Sequence, residues 1–116
     1  MAYSSIVKPS SYFNTKLFTG NGGTQSISSV GFQPDWVWLK SRSVADSPIL
    51  FDAVRGVTKA LYNADTAVED TIATSLTAFG SDGFTVGSHT IINGNNNNYA
   101  SWNWKANGSG SANTDG

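Results

Sequence analysis

The chain has 116 residues, a length that corresponds to one domain and excludes two full ones. Its formal net charge is −1 and only 13% of its residues are charged, so the composition gives it no electrostatic basis for binding nucleic acid. The absence of cysteine excludes disulfides, thiolate chemistry and cysteine-ligated zinc. Ser, Thr, Asn and Gly make up 50 of the 116 residues, a mixture typical of turns and strands.

The sequence shows neither a secretion signal nor a membrane-spanning segment. The first residues, MAYSSIVKPSSYF, lack an apolar run behind a basic start, and no stretch of about 18 apolar residues occurs. We therefore expect a protein that is made in the cytoplasm without a signal peptide and does not insert into a membrane.

Short apolar runs separated by turn residues predict a series of strands. Gly20–Gly23 is predicted to be a hairpin turn between the first two of them, and Ser81–Gly83 is a second turn signal. Seven or eight short strands at spacings near 10 residues predict an all-β, antiparallel sandwich. The predicted strands include 12–19, 25–28, 35–42, 49–54, 59–62, 84–86 and 99–106.

Two segments are harder to assign. Residues 63–76 predict a loop with one helical turn, because Asn63 or Asp65 can cap a helix while the threonines lower helix propensity. The Asn-rich tract at 93–98 predicts an exposed hairpin loop, since Asn tolerates left-handed backbone conformations.

The chain divides into three parts by composition. Residues 1–11 are predicted to be an N-terminal arm, 12–106 the β-sandwich domain, and 107–116 a flexible polar tail. The tail is typical of a linker, so the chain is either a single unit or part of a longer protein.

The most distinctive pattern is a pair of tryptophan doublets. Period-2 alternation places Trp36 and Trp38 on one face of a strand and Trp102 and Trp104 on one face of another. Indoles serve a hydrophobic core, a subunit interface or a platform for sugar rings, and the sequence does not separate these roles; the core is favoured. The candidate binding residues, for an interface or a glycan, are Trp36, Trp38, Trp102, Trp104, Asn95, Asn96, Asn97, Asn98 and Tyr99.

No motif predicts catalysis. The single histidine, His89, has no G-x-S-x-G nucleophile motif to accompany it, so a Ser-His-Asp triad is not expected. A carboxylate-pair hydrolase would need two carboxylates at a set separation, which the sequence does not give; the candidates are Asp35, Asp46, Asp52, Asp65, Glu69, Asp70 and Asp82. No calcium-loop or phosphate-loop pattern occurs, so we predict no catalytic residue, no metal ligand and no cofactor.

Four blocks of the sequence, in order, resemble a repeat domain of tailed-bacteriophage proteins, especially those of marine and cyanobacterial phages. The resemblance covers Tyr12–Gly110. It implies a concanavalin A-like (jelly-roll) lectin or glucanase sandwich, and it carries over no catalytic or ligand residue. The blocks are YFNTKLFTGNGGTQSISSVGFQPDWVWLKSRS, LFDAVRG with TKALYN, LTAFGSDGFTVG, and YASWNWKANGSG.

The resemblance implies a virion structural protein rather than an enzyme. We expect a tail fibre, adhesin or capsid decoration that assembles with other virion proteins and with copies of itself, a trimer being the form suggested by such proteins in general. The alternative is a glycan-binding module for host receptor recognition, with the tryptophans as platform and Asn95–Asn98 as a polar rim. A third hypothesis is a polysaccharide depolymerase.

Overall fold

The computed structural model describes residues 9–106, which form two antiparallel β-sheets packed against each other. The predicted antiparallel β-sandwich is confirmed, with nine strands in this part of the chain rather than seven or eight. A 3₁₀ turn at Pro9–Ser11 precedes the first strand. The elements are β1 (Phe13–Thr19), β2 (Gln25–Ile27), β3 (Trp36–Ser41), β4 (Ile49–Asp52), β5 (Lys59–Tyr62), β6 (Asp70–Thr71), β7 (Leu76–Gly80), β8 (Gly83–Val86), α1 (Thr90–Asn93) and β9 (Asn98–Trp104).

The larger sheet has the strand order β1-β9-β3-β4-β5-β6, and the smaller has the order β2-β8-β7. The chain crosses between the sheets after β1, β2, β6 and β8. β9, the last strand within residues 9–106, therefore lies between β1 and β3 and is paired on both sides. This places the second tryptophan doublet next to the first in one sheet.

The core fills the space between the two sheets. Val37 and Leu39 of β3 face it from the larger sheet, and Phe84 and Val86 of β8 face it from the smaller. The alternation of β3 explains this arrangement, because successive side chains of a strand point to opposite faces. The buried core cluster comprises Ile27, Val37, Leu39, Ile49, Phe51, Ala60, Leu76, Phe84, Val86 and Ile92.

The hairpin predicted at Gly20–Gly23 is wrong. β1 pairs with β9 and β2 pairs with β8, so these residues connect the two sheets instead of joining neighbouring strands. Gly20 is required by close packing, since a Cβ there would collide with the carbonyl oxygen of Gly94. The small residues that suggested a tight turn serve a close approach to the loop before β9.

The helical turn predicted within 63–76 is also misplaced. That segment contains turns and the short strand β6, while the helical turns of residues 9–106 lie at Pro9–Ser11 and Thr90–Asn93. β6 pairs with β5, so sheet pairing outweighs any local helix preference there. Of the predicted N-terminal arm, only Pro9–Ser11 is described; residues 1–8 and the predicted tail 107–116 lie outside the described residues.

Candidate functional site: an aromatic sheet face

The four tryptophans lie on the outer face of the larger sheet, opposite the core. β3 and β9 are neighbours, and their register pairs Trp36 directly with Trp104 and Trp38 directly with Trp102. Directly opposed residues of an antiparallel pair project from the same face, so the two doublets form one cluster. We call this surface, with Phe13 of β1 and Leu50 of β4, the tryptophan face.

The rings of the tryptophan face contact one another across three strands. The Trp36 and Trp104 rings are stacked, with centroids 4.6 Å apart and an interplanar angle of 27°. The Trp38 and Trp102 rings are tilted by 44° at 5.4 Å, and Phe13 lies 4.9 Å from Trp104. These contacts fall within the spacing at which aromatic pairs attract, so the rings hold each other in place.

The assignment of the tryptophans to the core is wrong. Trp36 is 41% exposed and the other three are half-buried, whereas Val37 and Leu39 between them on the inner face are buried. Both faces of β3 are apolar in sequence, but the smaller sheet covers only one of them. Of the three roles considered for the indoles, an interface and a sugar platform remain.

A groove of about 320 Å³ opens on this face. Its lining is mostly aromatic and contains no charged residue: Trp36, Trp38, Leu50, Asn63 and Trp104. The indole Nε1 of Trp38 is buried and has no hydrogen-bond partner within the described residues. A buried N–H without an acceptor is unfavourable, and because this nitrogen has essentially no accessible surface it is a cost of the packing of Trp38 rather than a donor open to a bound group.

The acidic residue beside the groove is neutralised by an ion pair. Asp52 lies opposite Trp36 in the register, and its carboxylate accepts the side-chain Nε–H and the backbone N–H of Arg55, the latter at 2.8 Å. Burial opposes ionisation of Asp52, but the hydrogen bonds and charge of Arg55 outweigh it and lower its pKa. Arg55 also donates to Glu69 at 2.9 Å. Arg55 therefore joins the carboxylates of Asp52 and Glu69.

The lysines on this side of the sheet are engaged as well. Lys40, two residues beyond Trp38, donates its Nζ–H to the backbone oxygen of Asp46 at 2.6 Å. Lys59 of β5 donates to the hydroxyl of Thr71 at 2.9 Å. The tryptophan face consequently presents indole rings and the Asn63 amide, flanked by lysines whose ammonium groups are hydrogen-bonded to neutral oxygens.

The Asn-rich tract does not reach the groove. Asn98 is the first residue of β9, and its side-chain oxygen accepts a hydrogen bond from the Thr19 hydroxyl. Trp104 is the last residue of the same strand, six residues further on, so Asn98 and Trp104 are separated by about 20 Å. Asn95 and Asn96 are exposed in the preceding turn, and Asn97 is half-buried there. The predicted polar rim is thus at the wrong end of the sheet to act with Trp36 and Trp104.

Tyr99 and Asn93 are structural residues. Tyr99 is fully buried on the core side, where its hydroxyl donates to the Thr90 carbonyl at 2.8 Å and accepts from the Gly94 N–H at 2.7 Å. Its inclusion among the candidate binding residues is wrong, because it projects from the face opposite Trp102 and Trp104. Asn93, also fully buried, connects α1 to the Gly20–Gly23 segment.

A family model matches residues 8–116. The chain belongs to a family described as a domain of unknown function (DUF7483). Comparison with curated proteins gave no match, and neither did comparison with solved structures.

Two members of the groove were not identified from the sequence. Leu50 is an alternating strand residue like many others, and Asn63 follows β5 at the end of an unremarkable KALY run. Both line the groove with Trp36 only because β4 lies beside β3 in the sheet and β5 lies beside β4. The order of strands within a sheet is a tertiary property, so no local signal could have identified them.

Two further results concern residues 9–106 alone. No group of three or more His, Asp or Glu side chains is placed to hold a metal ion there. Nor does that part of the chain contain a helix with the length and apolar character needed to cross a membrane.

Proposed function

We propose that this domain is a non-catalytic binding module of a bacteriophage virion protein and that it binds through the tryptophan face. The four-block sequence resemblance supports the virion assignment. The observation that supports binding is the cluster of four indoles on the uncovered face of the larger sheet, with Trp36 41% exposed. Tryptophan is enriched at binding surfaces, where a large rigid ring contributes contact area at low entropic cost.

Assembly with other virion proteins, or with copies of this chain as a trimer, is the first form of this proposal. Leu17 of β1 is 60% exposed and projects from the same side as Phe13, so the apolar surface extends to the edge strand. No charged residue lines the groove, and Asp52 beside it is paired with Arg55, so association through the indole rings would depend little on salt.

Recognition of a host glycan is the second form. It is favoured by the groove, because an aromatic floor with a few polar groups is a usual design for a small-molecule site.

The virion assignment is tested by immunogold electron microscopy of particles of the source phage with an antibody raised to this domain. We expect gold on the particle. Label on the head supports a capsid decoration, and label on tail or fibre supports an adhesin. Intact particles without label would contradict the virion assignment and return attention to the depolymerase hypothesis.

The role of the tryptophan face is tested by placing a charge on it. We expect Trp36→Lys to fold but to lose particle attachment or self-association, measured by sedimentation and by incorporation into particles. Val68→Lys is the matched control, because Val68 is 83% exposed and does not line the groove. Equal behaviour of the two variants in every binding assay would refute a role for this face.

A further inference from the structure

We infer that the open edge of β1 pairs with the same edge of a second copy of this chain, antiparallel and about a two-fold axis at Leu17. This pairing rests on the self-assembly included in the proposed function and specifies one contact that makes it. The contact lies at the edge of the larger sheet and does not involve the indole rings, so it is tested separately from the tryptophan face.

β1 differs from the other strands that lie at a sheet edge within residues 9–106. Those strands are β6 with two residues, β2 with three, and β7, whose pairing with β8 shifts in register between Leu76 and Ala78. Short or irregular edge strands offer little to an incoming strand. β1 has seven residues, contains no proline and pairs with β9 without a register shift. It is therefore the edge best suited to strand pairing.

The hydrogen bonds between β1 and β9 leave every second residue of β1 facing outward. Gly20, directly after β1, donates its N–H to the Asn97 carbonyl at 2.8 Å. Bonded and non-bonded pairs alternate in an antiparallel ladder, so the even-numbered residues of β1 bond to β9. The amides of the odd-numbered residues point away from β9, and those of Leu17 and Thr19 have no partner among residues 9–106. The second side of β1 thus presents unpaired donors and acceptors.

The side chains of the odd-numbered residues also suit a paired strand. Leu17 is 60% exposed although it is apolar, because its cross-strand neighbour on β9 is the small residue Ala100. Thr15 and Thr19, on the same face, are exposed, β-branched and uncharged. A strand that pairs beside Leu17 would cover it, since directly opposed side chains contact each other.

A second copy of the same edge satisfies these groups. With the axis at Leu17, the two Leu17 residues are directly opposite each other, and Thr15 of each copy is opposite Thr19 of the other. The Leu17 amide and carbonyl of one chain bond the Leu17 carbonyl and amide of the other, and each Thr19 amide bonds a Thr15 carbonyl. The edge is thus complementary to itself, which is the requirement for a two-fold contact between identical chains.

Lys16 selects this register over the neighbouring ones. It is the one charged residue of β1, and it shares the face of Phe18, which packs against the core. An axis at Lys16 would place two lysines directly opposite each other, which is destabilising. An axis at Thr15 would use a central amide that already donates to the Asn14 Oδ1 at 3.0 Å. The axis at Leu17 places Lys16 opposite Phe18 of the other copy and leaves the central amides available.

The pairing joins the six-stranded sheets of two copies into one continuous sheet. Directly opposed residues project from the same face, so both tryptophan faces lie on one side of it and both smaller sheets on the other. The paired segment, residues 15–19, is short compared with the roughly 20–30 residues that a standard interface uses on each side. We therefore expect a weak, concentration-dependent dimer.

Analytical ultracentrifugation of the full 116-residue chain over a concentration series measures this association. We expect the mean mass to rise with concentration from 12.3 kDa toward twice that value. Leu17→Lys places like charges opposite each other at the axis, and we expect at least about tenfold weaker association. Val54→Lys is the matched control and should associate like the parent, because Val54 is 64% exposed and lies in the turn after β4.

Disulfide cross-linking tests the register. The chain contains no cysteine, so a single introduced cysteine reports on one position. Leu17→Cys brings two thiols together across the axis, at a Cα separation of about 5.5 Å that allows a disulfide. Thr15→Cys and Thr19→Cys are matched controls on the same face, since each lies four residues along the strand, about 14 Å, from its equivalent in the other copy. We expect a covalent dimer on oxidation for Leu17→Cys alone.

Several results would overturn the edge pairing. They are a mass of 12.3 kDa at every concentration, a limiting mass of three chains, equal association of Leu17→Lys and Val54→Lys, and equal cross-linking at all three cysteine positions. Amide hydrogen exchange shows whether another segment of the same chain covers the edge. Protection of the Leu17 and Thr19 amides that is the same in dilute and concentrated protein would also overturn it.

Trp36→Lys separates this contact from the tryptophan face. Self-association that is lost in Trp36→Lys but kept in Leu17→Lys overturns the edge pairing and supports the tryptophan face as the surface between copies. Self-association that is kept in Trp36→Lys and lost in Leu17→Lys supports the edge pairing, whatever the tryptophan face binds.

Discussion

Replacing Asn93 by alanine is expected to destabilise the domain more than any other change in the Asn-rich tract. The Asn93 side chain is fully buried and has four hydrogen-bonding partners. Its Nδ2 donates to the Asn21 Oδ1 at 3.0 Å, to the Gly87 carbonyl at 2.9 Å and to the Gly23 carbonyl, and its Oδ1 accepts from the Asn21 N–H at 3.1 Å.

The magnitude follows from these contacts. The Nδ2 shares its two hydrogens among three oxygens, so the side chain supplies the equivalent of about three bonds, each worth about 0.5–1.5 kcal/mol net, and Gly87 lies in a buried position where water does not replace the lost donor. Because Asn21 is exposed and recovers part of its hydrogen bonding from solvent, we expect a loss of about 2–4 kcal/mol. That is a large part of the roughly 5–15 kcal/mol that stabilises a domain.

Equilibrium urea unfolding, followed by tryptophan fluorescence and circular dichroism, measures this loss. With a slope of about 2 kcal/mol per molar urea, in the middle of the usual range, the midpoint should fall by about 1–2 M. Asn95→Ala is the matched control, since Asn95 is exposed, and it should change stability by less than about 0.5 kcal/mol. Asn93→Asp keeps the shape of the side chain but turns a carboxylate oxygen toward three other oxygens. At neutral pH it should therefore lower the free energy of unfolding by at least as much as Asn93→Ala does. Equal midpoints for Asn93→Ala and Asn95→Ala would refute the reasoning.

Two further predictions test the assignment of faces and the ion pair. Phe51→Ala should lower the free energy of unfolding by about 3–5 kcal/mol, because Phe51 is fully buried in the core. Trp36→Ala should lower it by about 1 kcal/mol. Comparable losses for the two variants in thermal denaturation would contradict the placement of Trp36 outside the core. Because Arg55 lowers the pKa of Asp52, the pair stabilises the fold above the ordinary aspartate value of 3.8, and this contribution disappears as the pH falls through the lowered pKa. Arg55→Gln should therefore reduce stability at neutral pH and flatten the acid dependence of unfolding; parallel stability profiles of variant and parent would contradict it.

Most of the strands could be predicted from the sequence. The alternation in DWVWLKSR assigned Trp36 and Val37 to opposite faces, and the structure confirms both the strand and the alternation. β5 falls at the predicted residues, Lys59–Tyr62. Side-chain periodicity along an extended chain is local, so it is visible without knowledge of the partner strands.

The pairing of those strands could not be predicted in the same way. Gly20–Gly23 has the composition of a hairpin turn, yet β1 pairs with β9, the last strand of the described residues. Glycine and asparagine in this segment indicate only that the chain can change direction there. Which strand pairs with β1 depends on which apolar surfaces are buried together in the folded domain. The same limit applies to Asn63, which belongs to the groove only through the sheet order.

The sequence by itself determined that this is a β-sandwich with two tryptophan doublets, each on one face of a strand, because both features are periodic. Only the tertiary structure decided that the indoles face outward, since both faces of β3 are apolar and the smaller sheet covers the one with Val37 and Leu39. It likewise distinguished Asn93 from the exposed asparagines that follow it. Burial is a property of what packs against a residue, and chemically identical side chains differ only in those neighbours.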